Sequence, residues 1–264
     1  MDYSRYRALR VSSDGGIVTV TINRPEARNA MNEELHEELG TIFTDLDLDD
    51  GCDVAILTGA GSFFSAGGDM NWIRDQWRNP VLTRSTNRTN RRIQHSLLAL
   101  EKPIIAKVRG AAVGLGCSLA LYCDLVYAST DAVFSDPHVA AGLVAADGGA
   151  ALWPQLVGYA RARRYLLTGD PIRGSEAETI GLITEAVPDE QLDEVVDNMA
   201  RRLASGARYA IRYTKAAINA ALKATADVVI DRASAFETMT QFTEDNRIAV
   251  EAFLAKEKPT FTGS

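Results

Sequence analysis

The chain has 264 residues, is 46% apolar, and carries 35 acidic against 28 basic side chains for a formal net charge of -7. That size and apolar content suffice for one large domain, or one domain with an appendage. The negative balance excludes non-specific attraction to nucleic acid or an anionic membrane as its main activity. Cys52, Cys117 and Cys123 show no metal-ligand spacing, and no metal site is expected; they fit reduced, buried thiols in a cytoplasmic protein. Met1 to Arg10 is charged and lacks an apolar core, so no secretory leader is predicted. No run reaches the length of a membrane-spanning helix.

In chain order, Gly15-Gly16 predicts a turn, and Ile17 to Asn23 alternates as a half-buried strand does. Asn32 reads as a helix cap. Behind it Glu33 and Glu34 suit the positive end of a helix, and Leu35, Leu39, Ile42, Phe43 and Leu46 recur at helical spacing. Val54 to Thr58 is the next strand. A second round follows, with a helix around Asn90 to Leu100, the Lys102-Pro103 break, a strand over Ile104 to Val108, a glycine turn and an apolar helix through Ser118 to Tyr122. Leu125 to Ala128 is a third strand. Strands alternating with helices in this way predict an α/β fold of stacked turns. From Gln191 the strand signals stop, and amphipathic helical stretches run to about Lys256. The boundary is set at residues 1–200 for the core and 201–264 for a helical C-terminal subdomain.

Arg74, Arg78, Arg84, Arg88, Arg91 and Arg92 lie among Asn, Thr and Ser, and predict a solvated loop and helix start. The sharper alternative is a mobile lid bringing arginines to a substrate phosphate. His36 and His95 are expected to be exposed helix residues, and Asp69 to cap a helix starting at Met70. Trp72, Trp77 and Trp153 are expected in the core or in lid packing.

Two glycine turns carry the chemistry. Ser65-Ala66-Gly67-Gly68-Asp69 and Val113-Gly114-Leu115-Gly116 each stand between a strand-like and a helix-like run. Glycine permits positive φ and close approach of a ligand, so such turns can aim backbone N–H groups at a developing oxyanion. No phosphate-binding loop, zinc motif or Ser-His-Asp order competes with them.

Together with Asn23-Arg24-Pro25-Glu26-Ala27-Arg28-Asn29-Ala30, Leu57-Thr58-Gly59, Lys102-Pro103-Ile104-Ile105-Ala106, Cys123-Asp124, Leu167-Thr168-Gly169 and Gly181-Leu182-Ile183, these turns resemble the crotonase, or enoyl-CoA hydratase/isomerase, superfamily. The resemblance covers about residues 17 to 260. It implies a spiral of ββα turns with a helical C-terminal part that builds homotrimers, often paired into hexamers. It further implies an acyl-CoA or enoyl-CoA substrate whose thioester oxygen is held by the N–H groups of Gly68 and Leu115. Coenzyme A would enter as part of the substrate, with no prosthetic group. By position it would be held near Arg28, Ala30, Ala66, Gly68, Asp69, Met70, Gly114 and Leu115, with Phe253 and Lys256 near the nucleotide, sometimes across a subunit boundary.

The chain departs from that pattern at the acid and base. Where family hydratases carry two glutamates, it has Ser118 and, after Pro137, His138. A serine hydroxyl is no general base near neutral pH without an activating group. His138 takes the role of base, and Asp147 either orients its ring or caps the helix that follows. The stretch Phe134 to Pro154 is similar to a narrower branch containing oxocamphor-type β-diketone hydrolases, which use a histidine and an aspartate at these positions. Acyl-CoA enolate chemistry is the leading expectation. The alternatives are hydrolysis of a β-diketone carbon-carbon bond by His138 and Asp147, and a non-catalytic CoA- or RNA-binding relative.

Overall fold

The structure is a computed structural model that describes residues 1–77 and 79–264; Arg78 of the arginine-rich stretch lies outside the described residues. It opens with a hairpin that the sequence reading half missed. β1 (Leu9–Asp14) pairs antiparallel with β2 (Ile17–Ile22), and Gly15 and Gly16 join them at φ 55° and 83°. Positive φ at both residues of a two-residue loop matches the twist of the strands. Outer β1 is largely exposed, so its apolar pattern is weak.

α1 (Glu33–Leu48) begins where expected, with Asn32 Oδ1 accepting from the Leu35 N–H at 3.0 Å. β3 (Val54–Gly59) follows. α2 (Met70–Gln76) starts at Met70 as expected, and α3 (Pro80–Ala99) begins ten residues before the helix expected around Asn90, within the stretch read as a loop and helix start. Asn79 caps α3 by accepting from Leu82 N–H at 3.1 Å, and Pro80 suits the first helical position. The inward face of α3 is partly polar, with Thr83, Thr89, Asn90 and Gln94 all buried. Buried polar residues hid the amphipathic period.

The next elements run as two complete turns. β4 (Ile104–Val108), β5 (Ala111–Val113) and α4 (Leu115–Leu121) form one; β6 (Leu125–Ser129), β7 (Val133–Ser135) and α5 (Gly149–Thr168) form the next. β8 (Ile172–Arg173), α6 (Gly174–Thr179) and β9 (Glu185–Val187) close the spiral. The larger sheet has the order β1-β2-β3-β4-β6-β9, parallel from β2 onward, and β5-β7-β8 form a smaller sheet. Each turn contributes a strand to each sheet and then a helix. The chain is therefore an α/β spiral of ββα turns.

Both faces of the larger sheet are covered, which is why its strands read as continuous apolar runs. Ala55 and Leu57 join the main core with α1 and α3, while Val54 and Ile56 face α7 (Leu192–Ala204). α8 (Arg208–Gln241) and α9 (Glu244–Ala255) complete the chain. α8 is pinned at Lys215, which is buried, donates to the Lys102 carbonyl at 2.7 Å and pairs with Asp124 at 2.8 Å. Further along, Gln241 donates to Gln76 Oε1 at 2.8 Å, and Trp77 Nε1 donates to Asn246 Oδ1 at 2.8 Å. These bonds fasten α8 and α9 over α2. Among the described residues no helix is long and apolar enough to cross a membrane.

Candidate active site

The two glycine turns are stitched together by the backbone. Ser65 N–H donates to the Ala111 carbonyl at 2.9 Å, and Val113 N–H to the Ser65 carbonyl at 3.0 Å. The packing leaves no space for side chains: a Cβ on Gly67, at φ 87°, would lie 2.9 Å from the Val113 oxygen. The Gly68 and Leu115 N–H groups have no hydrogen-bond acceptor among the described residues. Leu115 is the first residue of α4, so its N–H is one of those a helix start leaves unpaired.

Gly68 and Leu115 line one cavity of about 840 Å³, counting its open mouth. Met31, Trp72, Ile73, Val113 and Leu143 give it apolar walls, while His36, Asn90, His138, Asp147 and Glu237 bring polar groups to it. A Cβ on Gly114 would stand 3.7 Å from His138 Cε1, so the imidazole lies directly beside the second turn.

His138 opens a short 3-10 turn after Pro137 and lies between two carboxylates. Nδ1 is hydrogen-bonded to Asp136 Oδ1, and Nε2 lies 2.9 Å from Asp147 Oδ2. Burial opposes the imidazolium, but the charges of Asp136 and Asp147 and the bonds to both hold His138 well above the ordinary histidine range. Both ring nitrogens are thus engaged by carboxylates, an arrangement that favours the protonated ring.

Asp147 does not cap α5. Gly148 holds the cap position with no side-chain bond, while Asp147 accepts from His138 and, at 2.6 Å, from Asn90 Nδ2. Burial pushes its carboxyl up, yet the His138 charge and hydrogen bond, His36 and Asn90 together hold it below the usual carboxylate range.

Three groups of this site were missed in the sequence. Asp136 was read only as part of the stretch before Pro137. His36, expected on the surface, is buried at the pocket wall with its ring centroid 5.1 Å from that of Trp72. Burial pushes it down to about 4, with Asp147 and Glu37 only partly opposing, so its imidazole is neutral. Glu237 reaches the pocket from α8, on a stretch with no motif to mark it. Burial and the Asp147 charge raise Glu237 to about 8. Only the topology places it opposite His138.

Ala66, Met70 and Gly114 line the cavity as expected, and Asp69 caps α2 by accepting from Asn71 N–H at 3.0 Å. Arg28 lies with its guanidinium 5.4 Å from the centre of the Phe63 ring, and the Ala30 carbonyl accepts from Arg24. Phe253 and Lys256 do not line the cavity; they are exposed at the end of α9. Of the tryptophans, Trp72 lines the pocket, Trp77 braces α9, and Trp153 is fully buried in the core. His95 is partly exposed, with Nδ1 3.6 Å from Asp227. Of the arginines, Arg92 pairs with Glu37 of α1 and Arg91 with Asp231 of α8, each at 2.8 Å, and among the described residues no arginine lines the cavity. Ser118 is buried, with no partner for Oγ among the described residues, and does not line the cavity.

Donor atoms of His138, Asp147 and Glu237 all lie within 4.8 Å of one another, close enough to surround a cation. However, both ring nitrogens of His138 are hydrogen-bonded to the flanking carboxylates, so a metal would have to displace one of those bonds. The donor set suits proton transfer better than ligation.

The sequence profile of the enoyl-CoA hydratase/isomerase family matches residues 12–264. The chain belongs to that family. It is 36% identical to the 1,2-epoxyphenylacetyl-CoA isomerase of Escherichia coli over 94% of this chain and 95% of that protein. It is 34% identical to the short-chain-enoyl-CoA hydratase of Clostridium acetobutylicum over 94% and 95%. Among solved structures, an enoyl-CoA hydratase/isomerase from Mycobacterium paratuberculosis superposes with a TM-score of 0.89 at 35% identity, covering 92% of this chain and 97% of that one. A β-diketone hydrolase from Anabaena superposes at 0.85 with 30% identity, covering 91% and 96%. This member of the enoyl-CoA hydratase/isomerase family thus keeps the fold and both turns, with an Asp136–His138–Asp147 cluster beside them.

Proposed function

We propose that this protein acts on an acyl-CoA or enoyl-CoA thioester through an enolate, with the thioester oxygen held by the Gly68 and Leu115 N–H groups and the His138–Asp147 pair as the proton-transfer centre. The observation that carries this reading is the meeting of two unpaired backbone donors with a buried histidine-carboxylate pair across one glycine. Preorganised donors in a largely water-excluded site stabilise developing negative charge far better than water does. Because His138 is already protonated, the pair accepts a further proton on Asp147, and the imidazolium balances the carboxylate until then. Hydration by two glutamates on the usual elements has no counterpart here, since Ser118 is buried away from the cavity.

The thioester's nucleotide would lie near Arg28, Ala30 and Ala66, with Phe253 and Lys256 reached across a subunit boundary. The exposed apolar side chains of α8, α9 and the link between them, among them Phe236, Met239, Phe242 and Phe253, support assembly into a homotrimer or a pair of trimers.

A second reading, hydrolysis of a carbon-carbon bond in a β-diketone, is favoured by one observation: the His138–Asp147 pair occurs in a chain that superposes on a β-diketone hydrolase. Incubation with a panel of acyl-CoA and enoyl-CoA thioesters and free diketones in deuterated water, read by mass spectrometry, separates the two. Deuterium at the thioester α-carbon or the mass of added water on an enoyl-CoA supports the first. Cleavage of free diketones with no reaction of any thioester would replace it.

A further inference from the structure

Asp147 and Glu237 bring two carboxyl groups to one pocket, within 4.8 Å of each other, and nothing in the glycine turns or the His138 region announces the second. Glu237 belongs to α8, and its carboxyl oxygens come within 4.8 Å of donor atoms of both His138 and Asp147. Its position is braced on either side. Thr238 accepts from Asn87 Nδ2 at 2.7 Å, and Gln241, one helical turn on, donates to Gln76 at 2.8 Å.

The charges around Glu237 come from one direction. Asp136, His138 and Asp147 face it from the segment leading into α5, whereas α3 presents the uncharged Thr86, Asn87 and Asn90, and α1 presents the neutral His36. No lysine or arginine contributes to its field. The His138 imidazolium favours the carboxylate form, but burial and the charges of Asp147 and Asp136 outweigh it, so the Glu237 carboxyl keeps its proton. Two carboxyls in one site whose environments push them in opposite directions are the usual signature of an acid and a base.

We propose that Glu237 is a catalytic acid that delivers a proton to the α-carbon of the substrate enolate, opposite the His138–Asp147 pair. The inference rests on the enolate reading above. In the step, the O–H bond of the Glu237 carboxylic acid breaks, and the enolate electron pair forms the new C–H bond. The thioester carbonyl is restored between Gly68 and Leu115, and the carboxylate left on Glu237 recovers its proton from water before the next turnover. The site would then contain an acid and a base after all, drawn from two elements far apart in sequence rather than from the helix and loop the family pattern points to.

The test combines a substrate-free readout with a kinetic one. Infrared difference spectra of the resting enzyme, titrated from neutral to alkaline pH, should show a protonated-carboxyl C=O band that disappears with a midpoint of about 8 and is missing in E237Q. Absence of that band from the wild-type protein would overturn the proposal whatever the substrate proves to be. On any thioester the wild type turns over, E237Q should lose ~100-fold or more in kcat with thioester Kd within about threefold, as a general acid's removal predicts. E237D should recover part of that loss. The wild-type rate should fall above the same midpoint, and in D147N the infrared band of the resting protein should disappear at lower pH, because the Asp147 charge helps to hold the proton. Wild-type turnover by E237Q, or an alkaline limb that E237Q retains, would overturn it. Failure of every thioester to bind or react, with the infrared band present, would instead refute the enolate reading.

Discussion

His138 Nε2 lies 2.9 Å from Asp147 Oδ2 while Nδ1 is taken by Asp136, so one imidazole bridges two carboxylates. The bridge fixes a charge state as well as a geometry. His138 is held well above its ordinary value of 6.5 in the folded protein. Its contribution to stability is therefore complete below the unfolded value and is lost as pH rises through the folded one. In D136N one of the two charges is gone, and the imidazole should titrate at lower pH than in the wild type. Imidazole NMR resonances followed across neutral and alkaline pH check this; an unshifted midpoint would refute the bridged charge state. H138A should lower turnover by ~100-fold or more while thioester binding persists.

His36 carries the opposite sign. The folded protein holds it neutral, at about 4, whereas the unfolded chain takes up a proton below 6.5. Stability from this group is present above 6.5, falls with decreasing pH and levels off below about 4. The full loss is on the order of 3 kcal/mol. H36Q lacks the titrating ring, so the stability difference between wild type and H36Q should shift toward the variant over that window. Chemical denaturation at a series of pH values measures it, and a difference independent of pH would show that the ring is not held neutral by burial.

Most of the spiral was legible because it is written locally. Asn32, the apolar period of α1, the Lys102-Pro103 break and the glycine turns each act within a few residues, and the placement of the Gly68 and Leu115 N–H groups at one cavity follows from the turns. Of the polar half, His138 and Asp147 were legible by position, and the groups around them were not, for two reasons. Thr83 and Thr89 are buried polar residues on the first half of α3, whose inward face looks solvated in sequence, so the helix was read only from about Asn90 and the inward side of Asn90 and Gln94 was not seen. Glu237 and His36 sit on ordinary-looking helices, and only long-range packing of α8 and α1 around one cavity brings them to His138. Asp136 lay in view, but its partnership with a ring two residues away depends on the turn at Pro137.

α8 should depend on its anchor at Lys215. That side chain is buried, donates to the Lys102 carbonyl at 2.7 Å and pairs with Asp124 at 2.8 Å, and Asp124 also accepts from the Ile104 N–H at 2.8 Å. In K215M, Asp124 and the Lys102 carbonyl lose their cation, at a cost of about 3 kcal/mol. D124N/K215M should cost less than the two single changes summed, because the orphaned charge is also removed. Denaturant unfolding of the three variants checks both points, and a K215M midpoint equal to the wild type would show that the pair does not anchor the helix.

The oxyanion assignment can be tested at one backbone atom. Leu115 is the first residue of α4, where proline is tolerated because that N–H has no intrahelical acceptor. L115P therefore deletes a single donor and leaves the helix hydrogen bonds in place, while L115A keeps the N–H and loses comparable side-chain packing. If Leu115 N–H holds the enolate oxygen, L115P should slow α-deuterium exchange of a bound acyl-CoA by about 10²- to 10³-fold, the usual loss for one such donor. L115A should stay within about tenfold of the wild type, since the donor itself survives. Circular dichroism and unfolding midpoints separate a local loss from a global one. Equal rates in L115P and L115A, with both folded, would remove Leu115 from the oxyanion site and leave Gly68 without its partner.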